Sequence, residues 1–390
     1  MTSIYGNATV TFAFTDNARF GSAVGNGLGS RVRADLDSRG WVLQEQLLSQ
    51  RILYTTKHGI FWECLDNSSS ESCPFGIPNV TDGFRASDER RVKQLMLKSH
   101  LSSREREMFL CMWRRNVVEE YSQRLLTREN DKLVAAAGIT AKFASQLNDV
   151  CVAGIWKLDA ARSLYWHTAR PSVPRRPRKV VFPTWSWYSV EGTVLHAPHT
   201  PFETGLQRSK TNPVLRNDMH MHEDLAVLSI SCQQDARNPH VYNGQVVLKG
   251  LTLRAYLYSR DSTRLFFPRR QTADEIIKRD LLNGTPNPAR HDGGQQLEYE
   301  YVFEFPYLDT GTLPASSNAY TPALCMIMGY NNNDGFPVAL VLVKDSNSDH
   351  YVRVGVVAID TRMIVLSPLL EEHYSALSDA MGEIRTLTIV

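Results

Sequence analysis

No stretch of this 390-residue chain approaches the roughly 18 consecutive apolar residues of a membrane-crossing helix, so no membrane partner is expected. The first residues, Met1-Thr2-Ser3-Ile4-Tyr5, lack the basic start and long apolar run of a secretory signal. The four Asn-x-Ser/Thr sequons, at Asn7, Asn67, Asn79 and Asn283, are therefore expected to carry no glycan. Cysteine is scarce. The six, at positions 64, 73, 111, 151, 232 and 325, include no Cys-x-x-Cys pair, which argues against a zinc ribbon or dithiol centre and for free thiols in a reducing, cytoplasmic setting. Charge of one sign is lacking too: a net charge of +2 argues against a nucleic-acid binder held by bulk electrostatics. The Arg-rich run from Arg170 to Lys179 is broken by Pro171, Pro174 and Pro177 and reads as an extended linker, with a basic docking strip as the alternative.

Catalytic signatures are sparse as well. The loop Gly25-x-Gly27-x-Gly29 lacks both the dinucleotide spacing and a Gly-Lys-Ser/Thr ending, so it reads as a flexible loop. His220-Met221-His222-Glu223-Asp224 gathers metal-binding residue types without the His-Glu-x-x-His helix geometry, and reads as a polar loop leading into a strand at Leu225 to Cys232. No Gly-x-Ser-x-Gly elbow occurs. No metal and no resident cofactor are expected.

What is present suffices for two or three subdomains, with 43% hydrophobic and 22% charged residues. Val10 to Phe14 suits a strand. Trp41, Leu43, Leu47 and Leu48 give a helical apolar face, and Arg51 to Tyr54 with Ile60 to Cys64 read as a hairpin. Residues 66–85 form a Ser/Pro/Asn/Gly-rich linker. Helices are predicted to dominate from about 86 to 168. Phe109, Trp113, Val117 and Tyr121 share one face at i+4 spacing, and Asn130-Asp131 caps a helix whose stripe is Leu133, Val134, Ala137, Ala141 and Ala144. A third segment carries Trp156, Leu158, Leu164, Tyr165 and Trp166. All seven tryptophans lie between 41 and 187, which supports a boundary near 195–220. Beyond it the pattern has period two, in Leu251 to Leu257, Leu297 to Phe305, Val352 to Ile359 and Thr386 to Val390, with a hairpin turn at Asn331 to Gly335. One helix is predicted near 370–381. The segments are thus 1–65, 66–85, a helical 86–195, and a mainly antiparallel β 196–390, in an α+β chain.

The chemistry concentrates in Ser38-Arg39-Gly40-Trp41-Val42-Leu43-Gln44-Glu45. On a helix Trp41 and Glu45 are i,i+4 neighbours, so an aromatic wall stands beside a carboxylate. Such a pair can hold a sugar or nucleobase and stabilise developing positive charge during glycosidic bond cleavage, with Glu45 as the catalytic carboxylate. The plainer alternative packs Trp41 in the core and binds Glu45 to Arg51 or a backbone amide. Cys64, among aromatics on a predicted strand, suits a buried thiol. In Pro183-Thr184-Trp185-Ser186-Trp187-Tyr188 the two tryptophans point the same way if the chain is extended, either as a binding platform or as a seal between subdomains.

The block Arg39-Gly40-Trp41-x-x-Gln44-Glu45, continued by Arg51 and by Trp62-x-Cys64, resembles the closing part of the fungal heterokaryon incompatibility (HET) domain. Ile4-Tyr5-x-x-Ala8 is similar to a passage inside that domain. Tyr121-Ser122-x-Arg124 with Asp131-Lys132-Leu133, then Ala153-Gly154-Ile155-Trp156, then Pro183-Thr184-Trp185-Ser186-Trp187, follow the order common in large HET-containing proteins. The resemblance implies that 1–65 is the C-terminal part of a HET domain, the remnant of a TIR-like α/β fold. It also implies a role in self/non-self recognition and programmed cell death through protein partners. The family's opening Leu-Ser-Tyr-x-Trp-Gly-like and Trp-Ile-Asp-x-Leu-Cys-like blocks do not occur. The expectation is a truncated gene model, a decayed and non-functional paralogue, or a fragment that another chain completes, with a sheet edge left open. TIR-like hydrolysis of NAD as substrate, through Glu45, is the enzymatic alternative.

Overall fold

The computed structural model of the chain describes residues 2–15, 35–57, 59–76, 83–168, 175–196, 219–258, 264–268, 299–304, 307–308, 320–330, 337–359 and 382–390. The Gly25 to Gly29 loop, the tip Asn331 to Gly335 and the helix predicted near 370–381 lie outside them, as do 197–218 of the predicted boundary. Helices and sheets both contribute, so the fold is α+β. The chain divides into two compact units. One is Met1–Leu158 with Pro177–Val180 and Gly192–Leu195; the other is Asp159–Arg176 with Val181–Glu191 and His196–Val390. The predicted segments 1–65 and 86–195 are divided differently. Residues up to Leu158 cluster together because the signature helix packs on a later helix, and the Trp-Ser-Trp stretch clusters with the β-rich half.

The first unit opens with α1 (Thr2–Gly6) and β1 (Thr11–Phe14). A 3-10 turn at Asp35–Ser38 leads to α2 (Gly40–Leu48) and to the predicted hairpin, β2 (Ile52–Thr56) and β3 (Gly59–Glu63). A short β4 (Ser68–Ser70) forms inside the expected linker. The sheet order is β1-β2-β3-β4. β1 runs parallel to β2 with Phe12 opposite Leu53, and Leu53 stands opposite Trp62 in antiparallel β3. Period-two alternation therefore sorts the side chains by face. Ile52, Tyr54, Glu63 and Ser68 point inward and are buried, whereas Phe12, Phe14, Leu53, Ile60 and Trp62 share the outer face. On the inner side α3 (Gly83–Leu97) supplies Lys93 to a buried ion pair with Glu63, and Arg90 donates to Ser68 Oγ at 2.7 Å.

α4 (Ser103–Met112) starts at a capping box between Ser102 and Glu105. Phe109, Trp113, Val117 and Tyr121 are all buried, as their spacing predicts. The single helix expected there is instead widened into a π turn over Trp113–Val118 before α5 (Glu119–Ser122). The π turn also takes Arg114 and Asn116 into the interior. α6 (Asp131–Leu147) corrects another expectation: Asn130 makes no side-chain cap, and the predicted stripe is not the core face. Val134 is 56% exposed, while Ala135, Ala136, Ile139, Phe143 and Leu147 are buried. The largest side chains decide the orientation, since Phe143 stacks on Phe109 with centroids 3.8 Å apart and meets Trp113 edge-on at 5.1 Å. The segment around Trp156 is a hairpin, β5 (Cys151–Val152) and β6 (Ile155–Trp156), turned by Ala153 and Gly154 at φ of 46° and 87°.

The second unit starts with α7 (Ala160–Ser163) and β7 (His167–Thr168); β8 (Val194–Leu195) belongs to the first. Its sheet comprises β9 (His220–Met221), β10 (Ala226–Gln234), β11 (Tyr242–Tyr258), β12 (Arg264–Pro268), β13 (Tyr299–Glu304), β14 (Tyr307–Leu308), β15 (Tyr320–Tyr330), β16 (Pro337–Lys344), β17 (Tyr351–Ala358) and β18 (Glu383–Ile389). The long β11 pairs with β18 through Val246 to Thr252 and with β15 through Thr252 to Tyr258. Because β15, β16, β17 and β18 also pair in sequence, the five strands close into a ring. Its interior is filled by Leu253, Leu257, Cys325, Ile327, Val341 and their neighbours, so it is a packed core. All pairings but β17–β18 are antiparallel, as the alternation predicts.

The outward face of β17 carries Arg353, fully buried. Its guanidinium lies 3.5 Å over the Trp166 ring and donates to the carbonyls of Leu164 (2.9 Å) and Trp166. Its backbone N–H donates to Thr184 Oγ1 at 3.0 Å, and Trp166 Nε1 donates to the Trp185 carbonyl at 2.9 Å. A planar fork spanning two carbonyls under an aromatic ring is a task for arginine, which a point-charge ammonium does not perform. Arg353→Met and Arg353→Lys are each expected to lower the stability of this unit by about 3 kcal/mol in urea denaturation. Stability within about 0.5 kcal/mol of wild type for Arg353→Lys would show that charge alone suffices.

Candidate functional site

The signature block folds as α2 because Val42, Leu43, Leu47 and Leu48 supply an apolar face and no Gly or Pro interrupts it after Gly40. Seven of its nine residues are buried, Gln44 and Gln46 among them. Only Trp41 and Glu45 remain partly open, one turn apart on a single stripe. Trp41 Nε1 donates to Asp131 Oδ2, at 3.4 Å, on the first turn of α6. The Glu45 carboxylate faces the Tyr5 hydroxyl of α1, and among the described residues neither Arg51 nor a backbone amide bonds it, contrary to the alternative reading. Three helices thus bring two aromatic rings and two carboxylates to one face.

The flanking residues hold this arrangement. Gln44 Oε1 accepts from the Gly138 backbone N–H at 2.7 Å. Gln46 Nε2 donates to Asp37 Oδ1 at 2.5 Å, and Gln46 Oε1 accepts from Arg124 Nη2 at 3.0 Å. The exposed Arg39 is bridged through its backbone to Leu125, and Gly40 N–H donates to the Leu125 carbonyl at 2.8 Å. A methyl group on Gly40 would meet Leu126 Cδ2 at 2.5 Å, so this close approach favours glycine.

Burial raises the Tyr5 phenol, and the Glu45 carboxylate raises it further by its charge and by accepting the hydroxyl proton. Tyr5 therefore stays a donor beyond the pH near 10 where an ordinary phenol ionises. A carboxylate held in this way, with an indole one turn away, has the elements needed to stabilise a cation. A cavity of about 20 Å³ is lined by Gly6, Leu47 to Gln50, Lys93 and Lys142, and an open concavity lies at the Lys344 to Asp349 turn. The first has room for about one water.

The other predicted residues are scattered. Arg51 is exposed beside β2, Trp62 lies on the outer sheet face, and Cys64 Sγ donates to the Asn67 carbonyl at 3.4 Å. Trp185 and Trp187 are buried at 0% and 1% exposure, because the segment turns through a 3-10 helix at Trp187–Ser189. The platform reading needed an extended chain and open rings, and neither is present. His220 pairs with Tyr330, and among the described residues no group of three or more metal-ligating side chains forms. Burial pushes the Cys151 thiol up to about 12 and that of Cys232 to about 11, which leaves both unsuited to nucleophilic work. No helix among the described residues is long and apolar enough to cross a membrane.

Inspection of α2 alone missed Tyr5, Asp131, Asp37, Gln46 and Arg124. A signal for three of them existed. Tyr5, Arg124 and Asp131 belong to other motif segments of the same resemblance, and the structure joins those segments at α2. Neither a family model, nor a curated protein, nor a solved structure matches the chain.

Glu45→Gln is expected to lower the Tyr5 pKa while leaving it above that of a free phenol, since burial is the larger cause. A ¹³C-tyrosine NMR titration, with the Tyr5 resonance assigned through Tyr5→Phe, reads this directly. An unmoved Tyr5 titration would break the pairing.

Proposed function

We propose that the chain is a HET-related protein of fungal self/non-self recognition and programmed cell death, acting by contact with a protein partner. The observation that carries this reading is the convergence of motif segments that lie far apart in sequence. Ile4-Tyr5, Arg39 to Glu45, Arg124 and Asp131 meet around one helix, as a shared family scaffold requires. The parallel pair β1–β2 with α2 between them is a βαβ unit, which suits the remnant of a TIR-like α/β domain. A protein-contact role is favoured by the outer sheet face, where Phe12 is 58%, Phe14 71% and Ile60 40% exposed.

Expression of the tagged chain in a fungal host is expected to arrest growth and to co-purify a discrete partner. Normal growth with no captured protein would overturn the reading. The enzymatic reading keeps one specific observation in its favour, the Trp41–Glu45–Tyr5 arrangement. Incubating purified protein with NAD separates the two: the interaction reading expects no nicotinamide, whereas nicotinamide released by wild type and lost in Glu45→Ala would establish a glycohydrolase.

A further inference from the structure

We infer that β1 is a docking edge, on which an extended, uncharged peptide segment of a partner protein adds as a fifth strand of the first unit's sheet. The inference rests on the interaction reading above and names where the partner sits. β1 ends the sheet among the described residues. Thr11 and Thr15 direct their N–H groups toward β2, donating to the carbonyls of Arg51 (2.9 Å) and Thr55 (3.0 Å). In a parallel ladder alternate residues serve opposite sides, so the N–H and C=O groups of Phe12 and Phe14 face the open edge. These are the same two residues whose rings are most exposed on the sheet. Open donors, open acceptors and exposed aromatic surface therefore coincide on two residues.

The chemistry of the occupant follows from this coincidence. Backbone groups presented at strand spacing select a strand rather than a helix, because a helix has already used its own N–H and C=O groups. Phe12, Phe14, Leu53, Thr55, Ile60 and Trp62 put no formal charge on the outer face, so the alternate side chains of the added strand are uncharged. Proteins commonly guard such edges with lysine, proline or a bulge. Thr11-Phe12-Ala13-Phe14 carries no charge and no proline, and its register with β2 is unbroken. An edge without these guards suits an occupant better than it suits solvent.

The test uses the full chain and a fluorescein-labelled, end-capped pentapeptide copying Ile52 to Thr56, the uncharged strand that β1 already accepts on its other side. Fluorescence anisotropy is expected to show saturable binding. Methylating alternate peptide nitrogens should weaken it at least tenfold, and so should Phe14→Pro, which removes one open-edge N–H and leaves the β2 ladder intact. Should Phe14→Pro fail to fold by circular dichroism, Phe14→Lys replaces it with the same expectation. Absence of saturable binding would overturn the inference, as would equal binding of the methylated peptide, which would mark mere apolar adsorption. A concentration-dependent dimer dissolved by Phe14→Lys, with no peptide binding, would overturn it in favour of a second copy. If peptide binding survives while the chain neither arrests growth nor captures a partner, the docking edge stands and the recognition role falls.

Discussion

The first unit depends on the burial of two glutamine amides. Gln44 and Gln46 are 1% and 5% exposed on a helix with leucines on both sides of them. A buried amide left without a partner costs about 1–3 kcal/mol, so each carbonyl and amino group restricts where α2 can sit. Gln44 takes its hydrogen bond from Gly138 in the middle of α6, and Gln46 bridges Asp37 and Arg124. Apolar packing alone would let two helices slide along one another. The amides fix their register and rotation, as polar groups in a core commonly do. Gln44 Nε2 makes no hydrogen bond among the described residues, so the Gly138 contact is kept although the rest of the amide is poorly served.

That fixed register turns Trp41 and Glu45 outward together and brings Tyr5 and Asp131 onto them. Most of the signature block is thus scaffolding. Gly40 acts through its backbone and Gln44 and Gln46 through buried amides, which leaves Arg39, Trp41 and Glu45 with surface to offer. The distinction bears on chemistry, because a carboxylate needs a substrate cavity to act on, and the cavity beside Leu47 to Gln50 holds about one water. The same fold leaves Phe12 and Phe14 exposed on the outer face of β1, which among the described residues is also the end of the sheet. Parallel strands are normally buried on both faces. The physical imbalance in this unit is therefore at the sheet and not at the carboxylate.

Much of this was legible in the sequence, and the failures have identifiable causes. β2 and β3 follow from alternation and turn residues, since period two fixes the face of every side chain once the strand is placed. β16 is instead an apolar run buried on both faces and follows from the turn residues before it. α6 was placed correctly but turned wrongly. Both Leu133, Val134, Ala137, Ala141 and the true face Ala135, Ile139, Phe143, Leu147 have helical spacing, and only the partners Phe109 and Trp113 decide between them. The π turn at Trp113–Val118 escaped because i+4 spacing looks the same on either ladder. Ala153 in the left-handed region hid the β5–β6 hairpin, although Gly154 beside it was a turn signal.

The candidate site failed to show itself for a different reason. Tyr5 and Glu45 are forty residues apart and Trp41 and Asp131 ninety, so no local pattern relates them. A motif read in isolation invites a chemical role for its polar residues, since the groups that bind them are not in view. In three dimensions most of that polarity is already engaged inside the protein. What stays unengaged among the described residues is plainer: two phenylalanines of β1, exposed by side chain and open by backbone. These residues give no catalytic signature in sequence, because Phe and Thr in a strand look like core. The sheet order reveals them, by leaving β1 at its end.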